Sequence, residues 1–204
     1  MVYPFVNKQE TLLAKVKGKT GRITDKTHEE HLKLYTGYVN KANAIQKELA
    51  DLQLTLDPLN QAHANQIYSH LRSLKVEYTF ALGGIINHEL YFACLGGKGG
   101  APAGLFAELV TKSFGSFETY LKDLKATAIA SRGWTWTGYH AQTGQLFNFI
   151  GDSQNTYPVW GVKPILALDT YEHAYYADFY TSRAAYIDEF LAFVDWDAVN
   201  SHLM

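Results

Sequence analysis

The chain has 204 residues, 19% of them charged, and a formal net charge of −2, which is the composition of a folded globular protein. This charge balance gives no broad attraction to nucleic acid or to an anionic membrane, so we expect neither as a partner. One cysteine excludes an internal disulfide framework and a multi-cysteine metal site. Residues 1–10 show no targeting pattern, and no apolar run approaches the roughly 20 residues of a membrane span. We therefore expect a cytoplasmic location.

The first part of the chain predicts an arm followed by a long helix. Residues 1–27 are mostly polar and carry turn formers at 17–21, so we expect an extended or loosely ordered arm. Thr27, with Glu30 three residues later, forms a capping-box pattern that predicts the start of a helix. Apolar and aromatic residues at helical spacing continue this helix to about Leu54.

A second helix is predicted from Gln61 to Leu95, and its middle contains two adjacent glycines. Gly83 and Gly84 together cost about 1–2 kcal/mol of helix propensity. Because the helix is otherwise rich in bulky residues, paired glycines suggest that another part of the chain approaches the backbone closely. The glycine-rich stretch 96–104 then predicts a linker between two domains.

The second half of the chain mixes helices and strands. Residues 105–125 predict helix with a break at 113–117. Three strand-like runs follow, at 134–139, 145–150 and 163–168. Residues 141–144 carry a hairpin signal between the first two runs. Two further helices are predicted at 172–180 and 184–194.

These elements predict an α+β fold in which an N-terminal helical hairpin precedes a C-terminal α/β domain with a small three-stranded antiparallel sheet. The predicted parts are an arm over residues 1–27, a helical-hairpin domain over 28–95 and a C-terminal α+β domain over 104–204. The sequence shows no internal repeat and no low-complexity segment.

Eight histidines beside one cysteine mean that a bound metal would take nitrogen and oxygen ligands. Asp169 and His173 are four residues apart at a predicted strand–helix junction, which can supply two ligands from one segment. His88 lies in an apolar helix and, if buried, needs a hydrogen bond or a metal as its partner. His31 lies on the first long helix and shares a face with Tyr38.

Each of these residues taken alone is more often structural than metal-binding. An Asp/His pair at this spacing is usually a hydrogen bond, and a buried histidine such as His88 is usually a core residue. Together, three buried histidines and one aspartate from three segments would form a nitrogen/oxygen site that suits manganese or iron. Four other histidines lie in polar surroundings and are predicted at the surface: His63, His70, His140 and His202.

The order of several motifs resembles the iron/manganese superoxide dismutase family. Residues 169–176 (DTYEHAYY) are similar to the family signature, and residues 80–92 (FALGGIINHELYF) resemble its glycine-rich helix before an Asn-His pair. The other matches are FGSF at 114–117, GWTW at 133–136 and the run 180–196. The resemblance covers about residues 28–200 and implies disproportionation of superoxide, a small anionic substrate.

The resemblance implies one manganese or iron ion per chain, held by four residues: His31, His88, Asp169 and His173. The family has its first ligand eight residues before a gateway tyrosine in a Tyr-Val-Asn sequence. Tyr38 matches that tyrosine, and His31 stands seven residues before it. An i/i+7 pair still shares one helix face, so His31 is the expected ligand and His28 the alternative. The local bulge that the family has here is expected to be absent.

The residues around the ligands resemble manganese-type members of the family. Gly84 stands four residues before the second ligand and Gln154 follows the predicted hairpin, whereas iron-type members usually place this glutamine on the helix. The resemblance implies that Gln154 orients solvent at the metal and that Trp134 walls the pocket. It also implies a homodimer in which Glu172 bonds to His173 of the partner subunit. Manganese is therefore expected, with iron as the alternative.

Several residues depart from the family pattern. Tyr35 stands where a histidine usually relays hydrogen bonds from the gateway tyrosine, and Tyr171 replaces a tryptophan. Phe92 also stands where tryptophan is common, and Ala184 replaces a proline. These substitutions keep most of the aromatic bulk but change polar connections, so the proton path and the rate are where this chain is expected to differ.

Two other functions fit part of the pattern. A His/carboxylate iron oxygenase would need a cavity of several hundred cubic ångströms for its organic substrate. A non-catalytic member that keeps the fold for dimerisation or binding would be expected to lack ligands, yet all four ligand types are present. Measured metal content, together with superoxide removal, separates these functions.

Overall fold

Two long helices form the helical hairpin that the sequence predicts. In a computed structural model that describes residues 4–55, 64–156 and 159–204, helix α2 (Asp25–Thr55) packs against helix α3 (His70–Ala93). Because both helices also contact elements near the sheet, the hairpin brings side chains of α2 and α3 close to the C-terminal half of the chain.

Helix α2 begins two residues earlier than predicted. Thr24, rather than Thr27, precedes the helix, and the Thr24 hydroxyl accepts a hydrogen bond from the Thr27 backbone N–H at 3.3 Å. The Asp178 carboxylate accepts a bond from the Thr24 N–H at 2.8 Å, which places a negative charge at the positive end of the helix. Residues 25–55 are α-helical throughout, so the helix passes His31 without a bulge.

Helix α3 begins later than predicted. The Ser69 side chain caps it by accepting a backbone hydrogen bond from the first turn at 3.1 Å. Residues 64–69 are not helical, so the predicted helix is wrong there, and its predicted start at Gln61 lies outside the described residues. The helix ends at Ala93, and the predicted linker 96–104 is a loop up to the point where the next helix begins.

Three antiparallel strands form one sheet in the C-terminal half, as predicted. They are β1 (Trp134–His140), β2 (Gln145–Gly151) and β3 (Val162–Asp169), in the order β2-β1-β3. The register between β1 and β3 sets Trp134 directly opposite Asp169. Residues 141–144 form the turn between β1 and β2, where Gly144 has a φ of 60°, a conformation that favours glycine.

In this half of the chain, the helices that precede the sheet confirm the prediction, whereas the first helix that follows the sheet differs from it. The expected break separates α4 (Gly104–Phe114) from α5 (Phe117–Ala130). The single helix predicted at 172–180 is instead a 3-10 turn over Glu172–Ala174 followed by a short helix. The remaining helices are α6 (Tyr176–Phe179), α7 (Arg183–Ala192) and α8 (Trp196–Ser201). Helix α8 has no counterpart among the predicted elements.

The expectation of an extended or loosely ordered arm is wrong for residues 9–16. Residues 9–16 form helix α1 (Gln9–Val16), and its Leu12 and Val16 side chains are buried in the core. Lys15 forms an ion pair with Asp195 near the other end of the chain. The missed signal is the spacing of Leu12 and Val16, which is that of one helical turn.

Buried apolar side chains from both halves of the chain form one continuous core. Tyr35 and Tyr91 from the helices and Trp134 from the sheet have no exposed surface in it. The division into an arm, a hairpin domain over 28–95 and a C-terminal domain over 104–204 stays a prediction. Within the ranges that the structure describes, no helix is long and apolar enough to cross a membrane.

Leu12→Ala tests the place of α1 in the core. Leu12 is 8% exposed, so this change is expected to lower the free energy of unfolding by about 2–3 kcal/mol, measured by urea denaturation of the metal-loaded protein. Thr11→Ala, at the exposed neighbouring position, is the control and is expected to change it by less than about 0.5 kcal/mol. Equal stability of the two variants would show that α1 does not stabilise the fold.

Candidate metal centre

Four side chains from three segments of the chain converge at the end of β3. His31 comes from α2, His88 from α3, Asp169 from the last position of β3 and His173 from the 3-10 turn that follows. One ligand atom from each lies within 4.8 Å of the others. The structure therefore brings together all four residues that the sequence analysis named as ligands.

The Asp169 carboxylate oxygen Oδ2 is the common neighbour of the three imidazole rings. It lies 3.0 Å from His31 Nε2, 3.2 Å from His173 Nε2 and 3.9 Å from His88 Nε2. An ion bound about 2.0–2.2 Å from each ligand atom would place neighbouring ligand atoms about 3–4 Å apart. The spacing of these atoms fits one ion held by three nitrogens and one oxygen.

The orientation of His88 points to a cation. Its Nδ1 lies 2.6 Å from the Gly84 carbonyl oxygen one turn earlier, so Nδ1 carries the proton and Nε2 carries the lone pair. Nε2 is buried and has no hydrogen-bond partner among the described residues. A buried lone pair without a donor is costly, and a metal ion beside Asp169 would satisfy it. The ligand atoms present therefore fit manganese or iron.

The three fully buried ligands have pKa values that suit metal binding. Burial, together with the nearby His31 ring, lowers the pKa of His88 to about 3 although Asp169 opposes the shift, so His88 is neutral. Burial also lowers the pKa of His31, although Asp169 opposes that shift. Burial alone would raise the pKa of Asp169, but His173 and His31 outweigh it and lower the pKa below its usual value. Neutral imidazoles and an ionised carboxylate are the forms that bind metal.

The turn after β3 fixes the two ligands of that segment. The Tyr171 N–H donates to Asp169 Oδ1 at 2.9 Å, which leaves Oδ2 directed at the histidines. The Thr170 N–H donates to the Gly133 carbonyl at 2.8 Å, so the start of the turn is held to the residue that precedes β1. The Tyr171 ring stacks on the His173 ring with centroids 5.2 Å apart.

His28, the alternative first ligand, does not belong to the metal cluster. It is fully buried, and its Nε2 lies 2.7 Å from the Thr20 hydroxyl. That hydroxyl donates to the Ile23 carbonyl at 2.8 Å, so His28 donates to Thr20 and ties the loop before α2 to the helix. Burial lowers the pKa of His28 to about 4, which keeps the ring neutral. The structure therefore favours His31 over His28 as the ligand.

Each of the two adjacent glycines of α3 leaves room for a different neighbouring residue to pack against the helix. A Cβ atom at Gly83 would lie 2.0 Å from the Gln154 carbonyl oxygen, and one at Gly84 would lie 2.5 Å from the Tyr38 ring. Both distances are shorter than any real Cβ contact, so a side chain at either position would displace its neighbour. The close approach that the sequence predicts is confirmed, and it is made by Gln154 and Tyr38.

Tyr38, Gln154 and Trp134 form a hydrogen-bonded row beside the ligands. The Trp134 Nε1–H donates to Gln154 Oε1 at 3.0 Å, and Gln154 Nε2 donates to the Tyr38 hydroxyl at 3.2 Å. The Trp134 and His88 rings meet edge to face with centroids 5.2 Å apart, and Tyr38 lies 5.4 Å from His88. This places all three residues against the candidate site.

Sequence reasoning missed Asn87 as a partner of Gln154. Asn87 Nδ2 donates to the Gln154 backbone carbonyl at 3.1 Å and lies 3.5 Å from Gln154 Oε1. Asn87 is buried and follows Gly83 by one helical turn. That i/i+4 spacing was the available signal, because both positions face the same loop.

Tyr35 and Glu172 lie outside the ligand cluster. The Tyr35 hydroxyl donates to Glu89 at 2.9 Å and accepts from the Lys8 N–H at 3.1 Å, so it is directed toward the N-terminal segment. Glu172 is exposed, and the His173 side chain is 29% exposed while those of His31, His88 and Asp169 are fully buried. The site of a single chain is therefore open on the side of Glu172 and His173.

The histidines predicted at the surface differ among themselves. His70 is exposed, but His202 is half-buried and its Nδ1 lies 2.9 Å from the Ile165 carbonyl oxygen, so a simple surface position is wrong for His202. His140 is also half-buried. His63 lies outside the described residues.

Comparisons with known proteins give one consistent family. Residues 102–202 match the family model described as iron/manganese superoxide dismutases, C-terminal domain. The chain is 41% identical over 181 residues to a superoxide dismutase [Fe] of Aquifex aeolicus, which covers 87% of this chain and 83% of the relative. It is 33% identical over 171 residues to superoxide dismutase [Mn] 1 of Halobacterium salinarum, covering 83% and 79% respectively. The chain belongs to the iron/manganese superoxide dismutase family.

Proposed function

We propose that this chain disproportionates superoxide, so that two superoxide ions and two protons give one dioxygen and one hydrogen peroxide. The observation that carries the proposal is the convergence of three imidazole nitrogens and one carboxylate oxygen within 4.8 Å. His31, His88, Asp169 and His173 would hold the ion. A manganese or iron ion there supplies the one-electron exchange, which a redox-inert ion such as zinc could not provide.

Tyr38 is the proposed proton donor at the site. Burial raises the pKa of its hydroxyl and the charge of Asp169 adds to the rise, while the hydrogen bond from Gln154 opposes it. The hydroxyl is therefore protonated near neutral pH. Because Gln154 donates to the Tyr38 oxygen, the proton of Tyr38 is free to be donated to reduced substrate or solvent.

Gln154 and Trp134 are proposed as residues that orient polar groups beside the ligands. Trp134 holds Gln154 Oε1, so the Gln154 amide nitrogen faces Tyr38. The amide would tune the proton affinity of solvent at the site through this fixed orientation. The fully buried Trp134 ring also closes one wall against His88, which restricts the site to small molecules.

Manganese is the proposed metal, with iron as the alternative. Gln154 comes from the loop after β2 and Gly84 leaves room for Tyr38 on the helix, which is the arrangement that resembles manganese-type members. The relatives at 40–41% identity are iron enzymes and those at 33% are manganese enzymes. Both ions take these ligands, so metal analysis of the purified protein decides between them.

We propose a homodimer because the site of a single chain is open on one side, where a partner subunit could close it. His173 is part of the cluster but is partly exposed, and Glu172 beside it is exposed. In a two-fold dimer, Glu172 would bond to His173 of the partner subunit, which would fix the tautomer of that ring and exclude water. The cytoplasmic location and the absence of nucleic-acid and membrane partners stay predictions.

An oxygenase is less well supported than a dismutase. Such an enzyme needs organic substrate to reach the ligands, yet the His31, His88 and Asp169 side chains are fully buried. A groove of about 550 Å³ does lie nearby, but it is lined by Tyr38 and not by any of the four ligands. Bulky substrate in that groove would stop at the Tyr38 ring.

His31→Ala is expected to abolish stoichiometric binding of manganese or iron and, with it, superoxide removal, because it deletes one of four ligands. The measurements are metal content by mass spectrometry and the rate of superoxide decay. His28→Ala is the matched control: it removes the bond to Thr20 and lowers stability, but is expected to retain metal and activity. Loss of metal only in His28→Ala would reverse the ligand assignment.

Tyr38→Phe is expected to retain the metal and to slow superoxide removal about ten-fold, a small effect for a general acid since solvent can also deliver protons. Above the raised pKa of Tyr38 the wild-type rate should fall as the hydroxyl loses its proton, and this decline should be absent in the variant. The pH profile of the decay rate checks both results. Tyr78→Phe, which removes a hydrogen bond from Gln46, serves as the control. Identical pH profiles for the wild type and Tyr38→Phe would count against proton donation by Tyr38.

Glu172→Ala is expected to shift the protein from dimer toward monomer in sedimentation velocity at micromolar concentration, because it removes the carboxylate proposed to cross the interface. Glu108→Ala, an exposed position on α4, should leave the sedimentation coefficient unchanged. A monomeric wild-type protein would rule out the proposed dimer without affecting the ligand assignment.

A further inference from the structure

A closed ring of three contacts joins the N-terminal segment to the two long helices. The Tyr35 hydroxyl of α2 donates to Glu89 Oε1 of α3 at 2.9 Å. The other oxygen of this carboxylate, Oε2, accepts from Lys8 Nζ at 2.6 Å. The Lys8 backbone N–H closes the ring by donating to the Tyr35 hydroxyl at 3.1 Å. We refer to Lys8, Tyr35 and Glu89 as the clamp.

The clamp lies next to the points where the two helices carry metal ligands. Tyr35 follows His31 by one helical turn on α2, and Glu89 directly follows His88 on α3. His88 Nε2 lies 3.9 Å from Asp169 Oδ2, compared with 3.0 Å for His31 Nε2. Whether His88 reaches an ion shared with Asp169 therefore depends on how closely α3 approaches α2, and the clamp fixes that approach.

The hydroxyl of Tyr35 serves this cross-link and not packing. The Tyr35 side chain is fully buried, and a phenylalanine ring would fill the same space. Burial raises the pKa of Tyr35 to about 12, although the bond from the Lys8 N–H opposes the rise, so the hydroxyl keeps the proton that it donates to Glu89. A hydrogen bond to a carboxylate is about twice as strong as one between neutral groups, which suits a contact that must hold two helices together.

Hydrogen bonds on both sides of Lys8 hold the N-terminal segment along α2. The Phe5 backbone pairs with the Asn43 side chain in both directions: the Phe5 N–H donates to Asn43 Oδ1 at 2.7 Å, and Asn43 Nδ2 donates to the Phe5 carbonyl at 3.0 Å. The Thr36 hydroxyl donates to Gln9 Oε1 at 2.6 Å. Lys8 is therefore held against α2 by its neighbours in the chain, and its contribution to the clamp does not rest on an exposed side chain alone.

We infer that the clamp positions the metal ligands: it fixes the spacing of His31 and His88 before an ion binds, and it thereby raises the affinity of the site for manganese or iron. The inference deepens the proposed function, because it concerns the same ligands. The three clamp residues lie outside the ligand cluster, so they act on the ion through the two helices.

Tyr35→Phe tests the cross-link, because it keeps the ring and removes the hydroxyl. The affinity of the purified protein for manganese is expected to fall about ten-fold, measured as the metal retained in competition with a graded series of chelator concentrations. Tyr120→Phe is the matched control: this tyrosine is also fully buried, and its hydroxyl bonds to Thr137 at 2.8 Å away from the ligands. It should lose stability but keep the wild-type affinity. Equal affinities in the two variants would overturn the inference.

Variants of Glu89 separate positioning from packing. In Glu89→Gln an amide oxygen can still accept from the Tyr35 hydroxyl, so the affinity should stay within about three-fold of the wild type. Glu89→Leu has no acceptor and should lose as much affinity as Tyr35→Phe. The double variant, Tyr35→Phe with Glu89→Leu, should lose no more than either single variant, because both break the same bond. Additive losses would show that the two residues act independently and would overturn the clamp.

A second readout separates failure of this inference from failure of the proposed function. Electron paramagnetic resonance of the manganese-loaded protein should show broader lines in Tyr35→Phe than in Tyr120→Phe, because looser helices allow a wider spread of ligand positions. Broadened lines with a ten-fold lower affinity, about the loss expected for a residue that supports a ligand, would support the clamp even if the wild type did not remove superoxide. Unchanged lines and affinity in an active dismutase would overturn the clamp alone.

Discussion

The structure depends on one buried carboxylate. Asp169 is fully buried, and its Oδ2 lies within 4 Å of the Nε2 atoms of three histidines. A lone ionised carboxylate in such a place would cost several kcal/mol, so the fold must supply compensating groups from every side. The two helices of the hairpin and the turn after β3 do so, and each packs in the orientation that brings its imidazole to this oxygen. A cation bound beside Asp169 would complete the compensation, and it would also take the lone pair of His88 Nε2, which has no hydrogen-bond partner among the described residues.

Helix α3 serves the site through two neighbouring stripes. One stripe, Gly83 and Asn87, contacts the backbone carbonyl of Gln154: Gly83 lets it approach and Asn87 donates a hydrogen bond to it. The other, Gly84 and His88, faces the Tyr38 ring and the metal cluster. Because one helix carries both stripes in fixed register, it sets the spacing between the ligand His88 and the residues that contact the Gln154 loop.

Much of the fold and the ligand set could be predicted from the sequence, because strong local patterns carried them. Helical periodicity predicted α2, and strand-like runs with a turn signal predicted β1 and β2. The four ligands were implied by the resemblance of several motifs, in order, to the superoxide dismutase family. The errors have physical causes. Helix α1 is short, so the spacing of Leu12 and Val16 is a weak local signal, and distant contacts such as the Lys15–Asp195 pair also hold the helix in place. The role of His28 likewise depends on a loop hydroxyl, Thr20, that only the folded chain brings near.

The fit of Tyr38 against Gly84 constrains how this chain can change over evolution. A Cβ atom at position 84 would overlap the Tyr38 ring, so a mutation that adds a side chain there is tolerated only after the ring has moved or become smaller. The same holds for position 83 and the Gln154 loop. Changes at these helix positions and at their partners are therefore epistatic: their order matters, and a lineage that fills either glycine must first alter the residues that face it.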